Sequence, residues 1–184
     1  LEARLQKRLR VLGLRTFVEY FDHVQGEGGA GEFVHFLDAV TTNKTDFFRE
    51  SMHFEFLDRT VLPEALNEQE HSASGAYTFN IWSAGCSTGE EPYTMAMVLS
   101  DFAERNPAFR FAIFATDIST RVLDHAREAV YDGERVAAVS QAMKQKYLLR
   151  SKDRNKNQVR IAPAVRSAVR FQRLNLMEEA FKFT

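Results

Sequence analysis

The chain has 184 residues, which permits one domain with a full core, or a small domain joined to part of a larger one. Lys and Arg total 24 and Asp and Glu total 25, so the net charge of -1 predicts neither a nucleic-acid partner nor attraction to an anionic membrane. The single cysteine predicts no internal disulfide, and the five histidines lack metal-ligand spacing. No apolar run approaches the roughly 18 residues of a membrane span. We therefore expect a cytoplasmic protein without a metal or membrane insertion.

Residues 1–40 predict a small helical domain. Apolar side chains recur at helical spacing on both sides of the glycine-rich stretch 26–31. The first helix carries the basic residues Arg4, Lys7, Arg8 and Arg10. Two interpretations of this basic face remain open: a solvated helix surface, or a docking surface for an acidic partner.

Residues 41–75 are assigned to a linker and a further helical segment. The helical pattern runs from 46 to 70, and Pro63 predicts a bend or break within it.

Residues 76–184 predict an α/β domain. The runs 76–82 and 109–116 are short and rich in aromatic and β-branched residues, and each precedes a helical stretch, 91–105 and then 119–130. This alternation predicts parallel strands joined by right-handed crossovers, with a third strand at 168–174. Residues 131–167 interrupt the pattern with a helix and two short strands around a basic turn, which predicts an inserted antiparallel subdomain.

The loop "SAGCSTGEEPYT" (83–94) directly follows the first predicted strand. Gly85 and Gly89 would allow a ligand to approach the backbone closely, as at the carboxyl ends of parallel strands. The loop is not a triphosphate cradle, because its glycines are one residue too close and Glu90 stands where lysine is needed. It also lacks the dinucleotide-binding glycine pattern. The acids favour a cationic or neutral ligand that carries hydroxyl groups.

Two acidic residues flank this predicted edge, and each has an alternative role. Glu91 begins the next helix, where Thr88 to Glu91 also match a capping box. Asp117 ends the second strand, where an acid can hold ribose hydroxyls or cap the helix that follows. Together they favour a nucleoside site.

Four segments in order resemble one known family. They are "TTNKTDFFRE" (41–50), "WSAGCSTGEEPYTMAM" (82–97), "FATDIS" (114–119) and "NL" (175–176). The chain resembles the CheR-type chemotaxis-receptor glutamate O-methyltransferases. The resemblance implies a partial Rossmann-like S-adenosylmethionine methyltransferase fold with a helical N-terminal domain and an inserted antiparallel β-subdomain.

The resemblance also implies roles for particular residues. It places a catalytic role on Arg49 and cofactor contacts on Asn43, Thr45, Arg49, Gly85, Glu91, Asp117, Asn175 and Leu176. A substrate glutamate with a pKa of about 4.3 is already an anionic nucleophile, so attack on a sulfonium methyl needs no general base. Arg49 suits the orientation of a carboxylate; alternatively it pairs with Asp46 or Glu50. Phe47 and Phe48 are interpreted as packing residues.

The implied function is methyl transfer from S-adenosylmethionine to glutamate side chains of chemoreceptors, which gives methyl esters and S-adenosylhomocysteine. The implied partner is the set of acidic receptor helices, docked by the basic face of the first helix, and the full-length enzyme is expected to be a monomer. A non-catalytic S-adenosylmethionine sensor or adaptor is the alternative function.

Two departures from the family pattern alter these expectations. Members that tether to a receptor's C-terminal peptide carry Gly-x-Gly in the β-subdomain turn, and the turn "RSKDRNKNQ" (150–158) has no glycine, which argues against tethering. The family continues beyond "NLMEEAFKFT" into a fourth strand and an Arg-Asn pair. We therefore expect a longer parent protein, without which the first strand would be an exposed edge that invites aggregation.

Overall fold

The N-terminal part of the chain forms three packed helices. A computed structural model describes residues 2–27, 29–41, 44–70, 78–153, 155–178 and 180–181. The three helices are α1 (Glu2–Leu12), α2 (Phe17–Gln25) and α3 (Ala30–Val40). Helix α2 begins with a capping box, because Thr16 accepts from the Glu19 backbone and the Glu19 side chain reaches back to the Thr16 backbone. The predicted helical domain is therefore present.

The second helical segment runs through Pro63 without a break. It comprises α4 (Ser51–Phe56), a π-helical stretch (Leu57–Val61) and α5 (Leu62–Glu70). The N–H of Leu62 donates to the carbonyl of Leu57, five residues back, and Pro63 follows at the start of α5, where a missing N–H costs little. Of the predicted bend or break at Pro63, the break is wrong, since the helical structure continues through the proline by way of the π-helical stretch.

The central sheet is parallel, as the alternation of strands and helices predicts. It contains β1 (Phe79–Ala84), β2 (Phe111–Asp117) and β6 (Val169–Arg173) in the order β1-β2-β6. Helices α6 (Glu90–Arg105) and α7 (Thr120–Glu128) follow the first two strands. The carboxyl ends of all three strands meet at one edge, and this arrangement confirms the Rossmann-like fold class.

A second, antiparallel sheet lies between α7 and β6. Its strands are β3 (Val130–Asp132), β4 (Leu148–Arg150) and β5 (Gln158–Ile161) in the order β3-β5-β4. Helix α8 (Gln141–Tyr147) precedes β4, and α9 (Pro163–Ser167) leads from this sheet back to β6. We call residues 130–161 the β-subdomain. None of the described helices has the length and apolar character needed to cross a lipid bilayer.

Helix α6 joins the two sheets and the 44–50 loop. Its Met97 and Leu99 are fully buried, and Tyr93 packs edge-on against Tyr131 of β3, with ring centroids 6.4 Å apart. Phe47 of the 44–50 loop is 1% exposed and packs edge-on against the same Tyr131, at 5.0 Å. The loop, the start of α6 and the β-subdomain therefore share one core.

Candidate functional site

A cleft of about 800 Å³ opens at the carboxyl ends of β1, β2 and β6. One wall is formed by the 44–50 loop with α4 and the π-helical stretch, and the opposite wall by residues 85–87, the start of α6, and residues 116–118 and 174–176. Of the predicted site residues, the cleft brings together Thr45, Arg49, Gly85, Glu91, Asp117, Asn175 and Leu176. Asn43 lies outside the described residues.

Gly85 and Gly89 have different roles, and only the first lines the cleft. Gly85 has φ +77°, and a Cβ there would meet no atom within 4 Å, so its conformation rather than crowding favours glycine. At Gly89, with φ +95°, a Cβ would lie 2.9 Å from the Ala126 Cβ and 3.0 Å from the Tyr131 hydroxyl. The expected close approach at Gly89 is therefore to α7 and β3, not to a ligand.

The capping box expected at Thr88 to Glu91 does not form. Gly89 is the N-cap residue of α6 and makes no side-chain capping bond. The Thr88 hydroxyl donates to the Glu90 carboxylate (2.6 Å), and the Ser83 hydroxyl of β1 donates to Oε1 of Glu91 (2.6 Å). Glu91 is exposed on the cleft side of the first turn of α6, where it can accept further hydrogen bonds.

Asp117 connects the glycine loop to α7. Its Oδ2 accepts the N–H of Ser87 (2.8 Å) and its Oδ1 accepts the N–H of Ser119 (2.9 Å). The N-cap of α7 is Ser119, whose hydroxyl accepts from the Val122 N–H, so Asp117 does not itself cap the helix. Asp117 is 8% exposed and lines the cleft, and each carboxylate oxygen keeps a lone pair for a ligand.

The 44–50 loop is conformationally strained and is held by α6. Phe48 and Glu50 have φ of 53° and 54°, in the left-handed region that a bulky side chain rarely adopts. The N–H of Phe48 donates to the hydroxyl of Thr94 (3.2 Å), a fully buried residue whose hydroxyl donates to the Glu90 carbonyl (2.7 Å). Strain of this kind persists only where the surroundings hold it, and it is concentrated at functional sites.

Arg49 lines the cleft. One of its nitrogens donates to the Lys44 carbonyl (3.1 Å), and across the described part of the chain Arg49 forms no ion pair. The alternative pairing with Asp46 or Glu50 is therefore absent there, and Asp46 pairs with Arg135 instead (3.3 Å). The remaining N–H groups of Arg49 are available to a carboxylate.

Phe47 and Phe48 are packing residues, as interpreted from the sequence. Phe47 is buried against Tyr131, and the Phe48 ring lies edge-on to Phe54 at 5.6 Å. Neither of them lines the cleft.

Sequence reasoning missed two residues that support the site. Both bind the backbone of the 44–50 loop: Thr94 from α6 and Arg135 from the β-subdomain. A buried threonine on a helix and an arginine in a loop carry no recognisable motif. The apolar part of the cleft is formed by Ile81, Met95 and Leu174, and it was also not predicted. Ile81 lies two residues before Ser83 in β1, so the two side chains share one face of the strand.

Cys86 is not a nucleophile at this site. Burial, reinforced by the nearby Asp117 carboxylate, raises the pKa of the Cys86 thiol to about 12, so the thiol stays protonated at neutral pH. Among the described residues, no group of three or more His, Cys, Asp or Glu side chains is placed to hold a metal ion.

A parallel sheet with a strand-end cleft that carries Glu91 and Asp117 defines an α/β protein of the Rossmann-like class. Comparison with protein families extends this assignment. Residues 43–184 match the family described as CheR methyltransferase, SAM binding domain, and residues 1–41 match CheR methyltransferase, all-alpha domain. The chain belongs to the CheR methyltransferase family.

Curated relatives align along nearly the whole chain. The chemotaxis protein methyltransferase of Borreliella burgdorferi is 39% identical over 185 residues, which cover 100% of this chain and 64% of the relative. Chemotaxis protein methyltransferase 2 of Pseudomonas aeruginosa is 38% identical over 177 residues, with 96% and 59% covered. The Escherichia coli chemotaxis protein methyltransferase is 35% identical over 178 residues, with 97% and 58% covered. The chain thus spans 58% to 64% of the length of these three relatives.

Proposed function

We propose that the protein transfers a methyl group from S-adenosylmethionine to glutamate side chains of chemoreceptors, giving glutamate methyl esters and S-adenosylhomocysteine. The observation that carries this proposal is the cleft itself, which is lined by the acceptors Glu91 and Asp117 and by Arg49. The family membership and the names of the relatives support methyltransferase activity in chemotaxis.

The residues of the cleft fit S-adenosylmethionine. The carboxylates of Glu91 and Asp117 stand at the strand ends, where they would accept hydrogen bonds from ribose hydroxyls. Gly85, Asn175 and Leu176 line the same region and would surround the nucleoside, and Thr45 of the opposite wall completes the contacts. When bound, the cofactor supplies a methyl group on a positively charged sulfur, a charge that an acid-lined cleft favours.

Arg49 is the residue that we assign to the reaction centre. Its planar group can bind a carboxylate through two parallel hydrogen bonds, and this would orient either the substrate glutamate or the carboxylate of the cofactor. A glutamate is already ionised at neutral pH, so the site needs to align the reacting groups rather than remove a proton.

The basic face of α1 is proposed to dock acidic receptor helices, with one revision. Arg8 donates two hydrogen bonds to the Glu32 carboxylate, at 2.9 and 2.6 Å, and so is used inside the helical domain. Arg4, whose guanidinium also donates to the Thr41 carbonyl (2.8 Å), remains exposed together with Lys7 and Arg10. The glycine-free turn of the β-subdomain leads us to expect binding without a peptide tether.

Asp117→Ala tests the cofactor assignment. Each charge-assisted hydrogen bond to a ligand hydroxyl contributes roughly 1.5–3 kcal/mol, so we expect the Kd for S-adenosylhomocysteine to rise by about tenfold or more in calorimetry. Asp124→Ala, which removes an exposed acid of α7, is the matched control and should leave the Kd unchanged. Equal affinity of both variants, with methyl transfer to receptor fragments intact, would show that Asp117 does not bind the cofactor.

A further inference from the structure

Arg135 of the β-subdomain reaches three acceptors in two other parts of the chain. It lies in the loop between β3 and α8. Its guanidinium donates to the Thr45 carbonyl (2.9 Å), to the Asp46 carboxylate (3.3 Å) and, through a very short contact, to the Glu90 carboxylate. One side chain therefore joins the β-subdomain, the 44–50 loop and the first turn of α6.

Glu90 is an unusual partner for this arginine because it is completely buried. Its exposed fraction is 0%, while the side chain of Arg135 is 42% exposed. A buried carboxylate requires a partner, and the hydrogen bond to Glu90 is the main reason that the pKa of Arg135 is raised. The pair thus fixes the position of the guanidinium, whose other N–H groups hold the loop.

The same loop is attached to α6 at a second point. The N–H of Phe48 donates to the buried Thr94 hydroxyl, one turn along α6 from Glu90. Arg135 binds the loop at Thr45 and Asp46, which precede Phe47 in the sequence, whereas Thr94 binds it at Phe48. The strained backbone at Phe48 and Glu50, on either side of Arg49, lies next to these two attachments.

We propose that Arg135 is a positioning residue that holds the 44–50 loop so that the Arg49 guanidinium faces the Glu91 and Asp117 wall. The consequence for catalysis rests on the function proposed above, whereas the attachment of the loop does not. Since Arg135 belongs to the β-subdomain, displacement of that subdomain moves the loop that carries Arg49.

The alternative is that the Arg135 pair only stabilises the fold. Arg135→Ala does not separate the two roles, because it leaves the buried Glu90 carboxylate without a cation, with a hydrogen bond from the Thr88 hydroxyl remaining, and so endangers folding. Arg135→Lys retains a positive charge beside Glu90, but a single ammonium group cannot reproduce the fork that spans three acceptors. Arg127→Lys is the matched control, since Arg127 forms an exposed ion pair with Asp124 and does not line the cleft.

We expect Arg135→Lys to lower kcat by about 10- to 100-fold with S-adenosylhomocysteine affinity and Tm close to those of the parent, because a small misplacement of a positioning group has a large effect on rate. In a double-mutant cycle, Arg135→Lys should cause little further loss of kcat in an Arg49→Ala background. If the fold-losses in kcat of the two single variants multiply in the double variant, Arg135 does not act through Arg49.

Hydrogen exchange measures the attachment independently of activity. The amides of residues 45–49 should exchange faster in Arg135→Lys than in the parent, and at the parental rate in Arg127→Lys. Unchanged exchange in Arg135→Lys would overturn the proposal even if the enzyme is active. Conversely, faster exchange in a protein that lacks methyltransferase activity would support the attachment and refute the proposed function alone.

Discussion

Two arginine–glutamate pairs have similar chemistry: Arg8–Glu32 in the helical domain and Arg135–Glu90 beside the cleft. They differ in which parts of the chain they join. In both, an arginine that reaches solvent binds a glutamate whose side chain is at most 6% exposed. Glu32 also accepts a hydrogen bond from the Tyr20 hydroxyl (2.8 Å), and all three residues belong to α1, α2 and α3. Arg135 and Glu90 instead lie 45 residues apart, and Arg135 also binds Thr45, 90 residues before it.

This difference indicates what each pair can control. Glu32 has two donors inside one small domain, so removal of either donor leaves the carboxylate partly satisfied and affects only that domain. Glu90 also has two donors, Arg135 and the Thr88 hydroxyl, but Arg135 in addition holds the backbone of the 44–50 loop. The first pair specifies the packing of three helices, whereas the second links the geometry of the cleft to the β-subdomain.

Arg135→Ala should give the largest change in stability. It leaves Glu90 buried without its cationic partner, and we expect a loss of about 3 kcal/mol in the free energy of unfolding, at the low end of the range for broken buried pairs because water can enter the vacated space. Urea denaturation followed by circular dichroism would measure this loss. A change within about 0.5 kcal/mol, the usual range for surface substitutions, would show that the Glu90 pair is not structurally important.

Arg8→Ala should have a smaller effect, of about 2 kcal/mol. Each glutamate keeps one hydroxyl donor, Tyr20 for Glu32 and Thr88 for Glu90, but the loss of Arg135 also removes its hydrogen bonds to Thr45 and Asp46. The same denaturation experiment applies, and Arg4→Ala provides a control arginine on the same helix. If Arg8→Ala proves more costly than Arg135→Ala, the contrast drawn between the two pairs is incorrect.

Acidification should weaken the helical domain by less than the removal of Arg8 does. The hydrogen bond from Arg8, together with that from Tyr20, lowers the pKa of Glu32 despite its burial. A carboxyl group whose pKa is lower in the folded state stabilises that state above its unfolded pKa of about 4.3, and this contribution is lost as the pH falls through the folded pKa. Unfolding free energies at about pH 7 and about pH 3 should therefore differ less in Glu32→Gln than in the parent. Parallel curves for the two proteins would contradict this assignment.

The smallest expected effect on stability belongs to the exposed cations of α1. Lys7→Glu together with Arg10→Glu should change the free energy of unfolding by at most about 0.5 kcal/mol, because neither residue forms an ion pair within the described part of the chain. The same variant should raise the KM for an acidic receptor fragment at low salt and flatten its salt dependence. Unchanged kinetics at low salt would eliminate the docking surface.

The sequence predicts the fold well because its periodic patterns reflect burial. The alternation of apolar runs and helical stretches places β1, β2 and β6 within a few residues of their observed bounds. The path through Pro63 could not be anticipated in this way, because a π-helical stretch depends on local backbone geometry rather than on hydrophobic spacing.

The candidate site was predictable from two sources, the strand-end rule and the family resemblance, and the resemblance alone suggested Thr45, Arg49, Asn175 and Leu176. Gly85, Glu91 and Asp117 follow from the rule that parallel strands present their carboxyl ends at one edge. Arg135 could not be found so, because it approaches Thr45 through the folding of a separate subdomain. Gly89 carried the same signal as Gly85, yet it is required by contact with Ala126, which only the packed structure reveals.

The buried thiol within the glycine loop provides the protein with its own reporter of opening. Cys86 is the single cysteine of the chain and is 1% exposed. Since alkylating reagents react with the exposed thiolate, labelling of the native protein must wait for the loop or the whole domain to open. The labelling rate therefore measures the free energy of that opening without an engineered probe, and a ligand that binds only the closed cleft would slow it.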